Sequence, residues 1–262
     1  MTYSTEDTQW IQSQLNTSVV GSQIEAYDSI DSTNDHLKGS LAGDIAEGTV
    51  ILADTQTHGK GRLGRDWYSE KGVGIYLSVL LKPALPSKLI PQITLIAGLA
   101  AVEAVNGFSQ ARAFLKWPND IFLNHKKVGG ILSENHQEEE HSGVILGIGL
   151  NINHTGFPEP LKTIATSLAI ENGAPVDRLP IIASFLNRLD RHYQAFLASG
   201  LQPFLIPWTQ NSEMFDKRIT VTRGPQTYTG TAQKIDSEGR LVVLLESGEE
   251  IALDSGEVTL KE

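Results

Sequence analysis

Residues 56–67 read QTHGKGRLGRDW, and this stretch organises the interpretation of the rest of the chain. Three glycines and three cations lie within seven residues, from Gly59 to Arg65. Glycine lets a backbone approach a ligand closely, and neighbouring cations repel one another unless they face an anion. The stretch therefore predicts a loop that closes over an anionic ligand, although a solvated basic turn would have the same composition.

This loop differs from the phosphate-binding Walker A loop. Lys60 is followed by Gly61 instead of serine or threonine, and residue 54 is not a glycine. Arginine nevertheless offers a planar fork for phosphate or carboxylate, and lysine offers a point charge. The functional prediction is therefore an anion site of another kind.

The composition is that of an ordinary globular protein of 262 residues, of which 40% are hydrophobic and 20% charged. That length allows one large domain, or a large and a small one. A formal net charge of −10 disfavours nucleic acid and anionic membranes as partners. The absence of cysteine excludes disulfides, thiolate metal sites and a cysteine nucleophile, and it is compatible with a reducing cytoplasm.

The sequence also gives expectations about location. The first residues lack a basic region followed by an apolar run, so no signal peptide is expected. No apolar stretch is expected to reach the roughly 18 residues of a membrane span. We therefore expect a cytoplasmic protein without membrane contact.

The segments that flank the loop predict a hairpin around it. Residues 49–54 and 74–81 are apolar runs of strand length. Earlier in the chain, residues 31–35 read DSTND, which predicts a helix start. Capping alone explains those residue types, but free amides and hydroxyls at a helix start also bind polar ligand groups.

Residues 116–120 read KWPND, and their proline ends a short strand. Asn119 and Asp120 are then left in a turn, where these residue types are also ordinary turn formers. A hairpin predicted at Asn124 and His125 returns the chain to Lys127, near the start of a strand that contains glycines. A lone lysine there would usually be a solvated edge charge.

Residues 147–153, GIGLNIN, alternate between the two faces of a predicted strand. Ile148, Leu150 and Ile152 form an apolar face, whereas the other face carries only glycine and asparagine. Glycine in a strand indicates close approach of a ligand, and asparagine presents a donor and an acceptor together. We expect this second face to contact a ligand.

The remaining elements follow from periodicity and end signals. Helices are predicted at residues 8–15, from Pro91 onward with one apolar face, and from Asp177 to about Ser199. Residues 203–208 are predicted to be a connector. Five short strands after Asp216 predict a small C-terminal β-barrel. The expected domains are residues 1–212 and 213–262.

The order and spacing of five motifs resemble those of the biotin protein ligases. The motifs are DSTN, the glycine-rich loop, KWPND, KVGG at 127–130 and GLN at 149–151. The resemblance covers nearly the whole chain. It implies an α+β fold, with a mixed-sheet catalytic domain like that of class II aminoacyl-tRNA synthetases and an SH3-like barrel. It also implies that biotin and ATP form biotinyl-5′-AMP, from which biotin passes to a lysine of the biotin carboxyl carrier protein of acetyl-CoA carboxylase.

The resemblance implies roles for individual residues. The implied biotin contacts are Ser32, Thr33, Asn34, Gln56, Gly59, Lys60, Gly61, Arg62, Lys127 and Gly130. The implied ATP or adenylate contacts are Arg62, Arg65, Trp67, Asn119, Lys127, Asn151, Glu257 and Lys261. The implied catalytic residues are Lys127, Arg62 and Asp120, and Asp120 would also help to place Mg²⁺.

Two departures from the family pattern bear on these roles. The family often has arginine at the positions of Lys60 and Lys261, and lysine cannot form the same bidentate contacts. Family members that repress transcription carry an N-terminal helix-turn-helix domain, whereas only about 30 residues precede Asp31 here. No DNA partner is therefore expected, and both a monomer and a homodimer are compatible with the family.

Three alternatives remain open at this point. A lipoate or octanoate ligase or transferase would share the catalytic fold, but a lipoyl chain would favour an apolar slot over polar partners such as Ser32, Thr33 and Gln56. A nucleic-acid-binding module would bind through the basic loop, but the negative net charge of the chain disfavours this alternative. A catalytically silent protein that binds an adenylate would keep the site without the reaction.

Overall fold

A seven-stranded mixed sheet forms the centre of the computed structural model, which describes residues 3–43, 45–137 and 142–260. The strands are β1 (Ile24–Tyr27), β2 (Val50–Ala53), β3 (Gly74–Leu81), β4 (Ala113–Lys116), β5 (Asp120–Leu123), β6 (Lys126–His136) and β7 (Gly143–Asn151). Their spatial order is β1-β2-β3-β7-β6-β5-β4. β1 and β2 are parallel, and all other neighbours in this sheet are antiparallel.

β7 comes last in sequence within this sheet but lies between β3 and β6. Its register places Asn151 opposite Gly74, and Gly149 opposite both Tyr76 and Gly130. The loop that joins β2 to β3 therefore leaves the sheet beside the glycines of β6 and β7. This strand order brings together three stretches that are far apart in sequence.

Helices cover both faces of the sheet. They are α1 (Thr5–Gln14), α2 (Thr33–Ser40), α3 (Pro91–Asn106), α4 (Leu168–Asn172), α5 (Arg178–Ser199) and α6 (Leu205–Gln210). Successive side chains of β3 point to opposite faces of the sheet, so they pack against different helices. Leu77 and Val79 join the large core under α3 and α5, whereas Leu80 packs with Leu37 of α2. The start of α2 consequently lies on the face opposite α3.

α3 is buried on nearly all sides, whereas the sequence predicted a single apolar face. The helix lies between the sheet, α5 and the C-terminal strands, and Leu95 approaches the turn at Gly239. Residues Ser87–Asn106 also have the length and mean hydropathy, 1.5, of a membrane span. The expectation that no apolar stretch is that long was therefore wrong, but 72% of the apolar window is buried inside the fold, as in a core helix.

The C-terminal strands form a second, wholly antiparallel sheet in the order β11-β10-β9-β8-β12. They are β8 (Arg218–Arg223), β9 (Gln226–Ile235), β10 (Leu241–Leu245), β11 (Glu250–Leu253) and β12 (Glu257–Leu260). Buried side chains of both sheets belong to one continuous cluster. Trp117 Nε1 donates to the carbonyl of Gly239 at 3.2 Å. The division at residue 212 stays a prediction.

Most predicted elements are confirmed, including the hairpin at Asn124 and His125, whose φ angles of 48° and 63° fit a two-residue turn. Asp177 caps α5 and Gly200 ends it, as predicted. Three details differ. Residues 203–208 are largely helical, β7 ends at Asn151, and α4 was not predicted. Asn153 hydrogen-bonds the backbone of Val176, so its carboxamide joins two loops.

Candidate active site

An open cavity of about 510 Å³ lies where the helix start, the β2–β3 loop, the β4–β5 turn and the glycines of β6 and β7 meet. Segments 157–165 and 256–259 complete its wall. The predicted contacts that line it are Ser32, Thr33, Asn34, Gln56, Lys60, Gly61, Arg62, Arg65, Trp67, Asn119, Asp120, Lys127, Gly130, Asn151 and Glu257. Lys261 lies outside the described residues.

One end of the cavity is a buried polar network at the start of α2. Thr33 donates to Gln56 Oε1 through its backbone nitrogen at 2.8 Å and its hydroxyl at 3.1 Å. Asn34 Nδ2 donates to Glu134 Oε2 at 2.5 Å. Ser78 Oγ lies 2.7 Å from Thr33 Oγ1 and 2.6 Å from Asn34 Oδ1. These contacts orient hydroxyls and carboxamides before any ligand binds.

Ser32 has the two functions that the sequence left open as alternatives. It is the N-cap of α2, because its side chain accepts from the backbone nitrogen of Asp35, at 3.4 Å. It also lines the cavity while being buried. A helix start with such groups attracts electron-rich atoms of a ligand.

The glycines of β6 and β7 form the floor of the cavity, but protein side chains already occupy the space above two of them. A Cβ on Gly147 would lie 2.2 Å from Asn34 Oδ1, and one on Gly149 would lie 2.3 Å from Cε2 of Trp67. These glycines therefore admit Asn34 and Trp67 into contact with the sheet. The predicted ligand-facing strand does line the cavity, and its missing bulk serves these side chains directly.

The cationic loop, residues 55–73, is anchored at three separate places. Lys60 Nζ contacts Asp35 Oδ1 at 2.6 Å, and Arg62 Nη1 donates to Asn119 Oδ1 at 2.8 Å. Arg65 makes a bidentate contact with Glu257 of the C-terminal sheet, at 2.5 and 2.7 Å. The cations thus point to different partners, whereas the sequence predicted mutual repulsion without a ligand.

Gly59 is the predicted contact that lies outside the cavity wall. Its carbonyl accepts from the backbone nitrogen of Trp67 at 2.8 Å. A Cβ there would lie 2.6 Å from the carbonyl oxygen of Trp67 and 2.7 Å from Ser69 Oγ. Glycine is required at this position because the two arms of the loop cross closely.

Lys127 and Gly130 face the same region because of a β-bulge. Gly129 pairs with Ile121, but Phe122 pairs with Lys127, so Val128 is the extra residue. Strict alternation would place residues three apart on opposite faces, and a bulge re-aims one of them. The Lys127 Cε atom lies only 3.2 Å from the position of a Cβ on Gly130.

Two lysines share one carboxylate at the other end of the cavity. Lys127 Nζ lies 2.6 Å from Asp120 Oδ1, and Lys116 Nζ lies 3.9 Å from Asp120 Oδ2. Burial lowers the pKa of Lys116, and the Asp120 charge opposes that shift. Burial likewise lowers the pKa of Arg62, whose hydrogen-bond partner Asn119 is neutral. This end therefore carries positive charge in excess of its nearest carboxylate.

The other predicted nucleotide residues have structural partners of their own. Asn119 is buried, and its Nδ2 donates to the carbonyl of Ile131 at 2.7 Å. Asn151 Nδ2 contacts the carbonyl of Lys127 at a long 3.5 Å. Lys127 Nζ lies 5.4 Å from the centre of the Trp67 ring, which is cation–π distance. Asn119 thus orients Arg62 as well as lining the cavity.

Among residues 3–43, 45–137 and 142–260, no group of three or more histidine, aspartate or glutamate side chains could hold a metal ion. Asp120 is the predicted Mg²⁺ residue, and its closest partner is a cation. Mg²⁺ is commonly bound by one or two carboxylates together with phosphates of the substrate. Asp120 therefore fits a metal that arrives with a polyphosphate and does not form a site alone.

Sequence reasoning missed four polar residues of the site. Ser78 interrupts an apolar strand, and that interruption was the available signal. Lys116 was inside the KWPND stretch but was assigned no role. Asp35 and Glu134 contact Lys60 and Asn34 through pairings that depend on the strand order.

Comparisons with known proteins bear on the identity of this site. Residues 26–151 match the model of the biotin/lipoate A/B protein ligase family, and residues 215–261 match the biotin protein ligase C terminal domain. The bifunctional ligase/repressor BirA of Bacillus spizizenii is 37% identical over 240 residues, which cover 90% of this chain and 73% of that protein. The chain belongs to the biotin protein ligase family.

Two further relatives agree with this membership. The biotin–[acetyl-CoA-carboxylase] ligase of Mycobacterium tuberculosis is 32% identical over 242 residues, covering 90% of this chain and 88% of that protein. The solved structure of a biotin protein ligase from Aquifex aeolicus in complex with biotin and ATP has a TM-score of 0.80 at 30% identity. That similarity covers 92% of this chain and 99% of the Aquifex chain. The predicted family and fold class of this biotin protein ligase family member are confirmed.

Proposed function

We propose that the protein is an ATP-dependent biotin protein ligase. It forms biotinyl-5′-AMP and transfers biotin to a lysine of the biotin carboxyl carrier protein of acetyl-CoA carboxylase. The observation that carries this proposal is the polarity of one cavity, which has a neutral hydrogen-bonding end at Thr33 and Gln56 and a cationic end at Lys116 and Lys127. Biotin has a ureido ring at one end and a carboxylate at the other, so it complements this arrangement.

In the first step, an oxygen of the biotin carboxylate attacks the α-phosphorus of ATP. An oxygen–phosphorus bond forms, and the bond between the α-phosphorus and the leaving pyrophosphate breaks. The two anionic reactants repel, so cations placed where charge develops lower the barrier. Lys127 would face the carboxylate and the α-phosphate, and Arg62 would contact the phosphate once the loop has closed.

Mg²⁺ bound to the triphosphate would neutralise the departing pyrophosphate. Asp120 is our candidate for placing that ion, and it would exchange part of its contact with Lys127 for the metal. The cavity also contains Arg65 and Glu257, which join the loop to the C-terminal sheet and would enclose the nucleotide. Trp67 and Asn151 would lie against the adenine side of the site.

In the second step, a neutral lysine amine of the carrier attacks the carbonyl carbon of the mixed anhydride. A carbon–nitrogen bond forms, the bond from that carbon to the phosphate oxygen breaks, and AMP leaves. Asp120 is our candidate for accepting the amine proton. A lipoyl chain has no polar group to match the hydrogen-bonding end of the cavity at Thr33 and Gln56, whereas a ureido ring does, and this favours biotin over lipoate.

The setting of this reaction is also part of the proposal. The net charge of −10 disfavours DNA as a partner, and the lack of cysteine is compatible with a protein that acts in the reducing cytoplasm. Either a monomer or a homodimer could carry out the reaction, because the cavity is built from residues of one chain.

The test is biotin transfer to a purified carrier domain by the wild-type protein and two neighbouring lysine variants. Lys127→Ala should reduce transfer by orders of magnitude, because it removes the cation closest to the reacting groups. Lys126→Ala, on an exposed side chain next to it, should retain wild-type transfer. Equal activity of the two variants would remove Lys127 from the mechanism.

A further inference from the structure

One buried guanidinium joins the two ends of the cationic loop. Arg178 is the first residue of α5, and its Nη1 donates to Asp54 Oδ1 at 3.0 Å and to the carbonyl of Gly74 at 2.9 Å. Asp54 directly follows β2, and Gly74 is the first residue of β3. The same nitrogen therefore binds the chain where the loop leaves the sheet and where it returns.

This contact is enclosed by protein. Asp54 is fully buried, and Arg178 is only 9% exposed. The ring of Tyr3 covers the guanidinium, with its centroid 4.6 Å from the Arg178 Cζ atom. Asp54 Oδ2 has no hydrogen-bond partner among the described residues, so the buried carboxylate depends strongly on Arg178. Because the contact is buried, water does not compete for its hydrogen bonds.

The loop base continues from this contact toward the cavity. The backbone nitrogen of Gly72 donates to the Asp54 carbonyl at 3.3 Å, and Thr55 Oγ1 donates to the Ser69 carbonyl at 2.6 Å. Gln56 Nε2 donates to Ser69 Oγ at 2.9 Å. Gln56 Oε1 in turn accepts from Thr33 in the polar end of the cavity. Only Thr55 separates Asp54 from Gln56, so the spacing of the loop ends sets where Gln56 lies.

We propose that Arg178 is a positioning residue for the cationic loop, acting on ligand binding through Asp54, Gly74 and Gln56 without touching the ligand. Its contact holds the base of the loop fixed, whereas the tip is held by side-chain contacts of Lys60, Arg62 and Arg65 for which an anionic ligand can compete. This role rests on the proposed function for its effect on biotin, whereas the fixed base is a property of the protein alone. A charge pair that only stabilised the fold would leave loop position and biotin affinity unchanged.

The variant Arg178→Lys tests this role with the least damage to the fold. Lysine keeps a positive charge beside Asp54, but its side chain is shorter than that of arginine, so we expect it to lose at least one of the two contacts of Nη1. Arg188→Lys is the matched control, because Arg188 lies on the same helix and pairs with Glu103 at 3.0 Å, away from the loop.

Hydrogen–deuterium exchange gives the first measurement, in the protein without ligand. Arg178→Lys should speed exchange of the Gly72 amide about tenfold, the consequence expected when one charge-assisted hydrogen bond is lost. The centre of β3 and the Arg188→Lys control should exchange as in the wild type. Wild-type exchange at Gly72 in Arg178→Lys would overturn the proposal.

The second measurement is biotin-dependent exchange of ATP with pyrophosphate. Arg178→Lys should raise KM for biotin about tenfold with a smaller change in kcat, because it moves Gln56 and leaves Lys127 in place. A lowered unfolding temperature with unchanged KM would reduce Arg178 to a stabilising residue and overturn the proposal.

If Arg178→Lys does not fold, exchange in the wild-type protein decides the matter. The Gly72 amide should then be protected in the free protein, while the amides of residues 62–64 exchange quickly until biotin and ATP are added. Equal fast exchange at base and tip would contradict a fixed base. Failure of the proposed function would appear separately, as a wild-type protein without biotin-dependent exchange but with a protected base.

Discussion

Gly149→Ala tests the packing of Trp67 on the floor of the cavity. The added Cβ would lie 2.3 Å from Cε2 of Trp67, 2.4 Å from its Nε1 and 2.7 Å from its Cζ2. All three distances are far below van der Waals contact, so either the indole or β7 must move. β7 is paired on both sides by β3 and β6, which makes the indole the part that moves.

The size of the effect follows from overpacking, which typically costs about 1–3 kcal/mol. We expect the free energy of unfolding of Gly149→Ala to fall within that range. Because the Trp67 backbone is hydrogen-bonded to Gly59 in the cationic loop, displacement of the indole should also disturb the loop. Affinity for biotin should therefore fall as well.

The assay is urea unfolding together with biotin titration, for Gly149→Ala and for Gly156→Ala as control. A Cβ on Gly156 would meet no atom within 4 Å, so that variant should match the wild type. Trp67→Ala should make the Gly149→Ala change nearly neutral in a double-mutant cycle, since the clash is then absent. A Gly149→Ala protein with wild-type stability and biotin affinity would refute the packing argument.

Three other predictions concern the loop, a buried histidine and nucleic acid. Arg62→Gly should form the adenylate but release it sooner, and biotin with ATP should protect the wild-type loop from trypsin; equal cleavage with and without ligands would show that the loop does not close. Burial lowers the pKa of His154 from 6.5 to about 4, so protonation of this side chain favours the unfolded chain. The contribution of neutral His154 to the free energy of unfolding should be fully present above pH 6.5, and about 3 kcal/mol should be lost as the pH falls toward 4. His154→Gln should flatten the pH dependence of unfolding, whereas a variant of the exposed His125 should not, and an unchanged slope would contradict this assignment. No sequence-specific DNA binding should occur at physiological salt with or without biotin and ATP, and a salt-resistant gel shift would oppose it.

Local signals in the sequence predicted local structure well. Ser32 and Asp177 cap their helices because short polar side chains bind free backbone amides, and these residues identify helix starts directly. The alternation in residues 147–153 likewise predicted a strand with an open face. Such features depend on neighbours within a few residues, so the sequence contains the necessary information.

Long-range pairings were beyond the reach of these patterns. Arg65 meets Glu257, and Arg178 meets Asp54, only because the sheet order and the C-terminal sheet bring distant segments together. The bulge at Val128 also escaped prediction, because periodicity treats a strand as regular. Residue types at a site can therefore be recognised from sequence, whereas the partners that orient them require the fold.

The central claim is that one cavity joins biotin to the α-phosphate of ATP. Its most direct test is exchange of labelled pyrophosphate into ATP by the wild-type protein with Mg²⁺, with biotin, with lipoate, and with neither acid. Of the two acids, we predict that only biotin supports exchange, because its ureido end matches the hydrogen-bonding end of the cavity at Thr33 and Gln56. Exchange that requires lipoate instead, or the absence of exchange with biotin, would contradict the account.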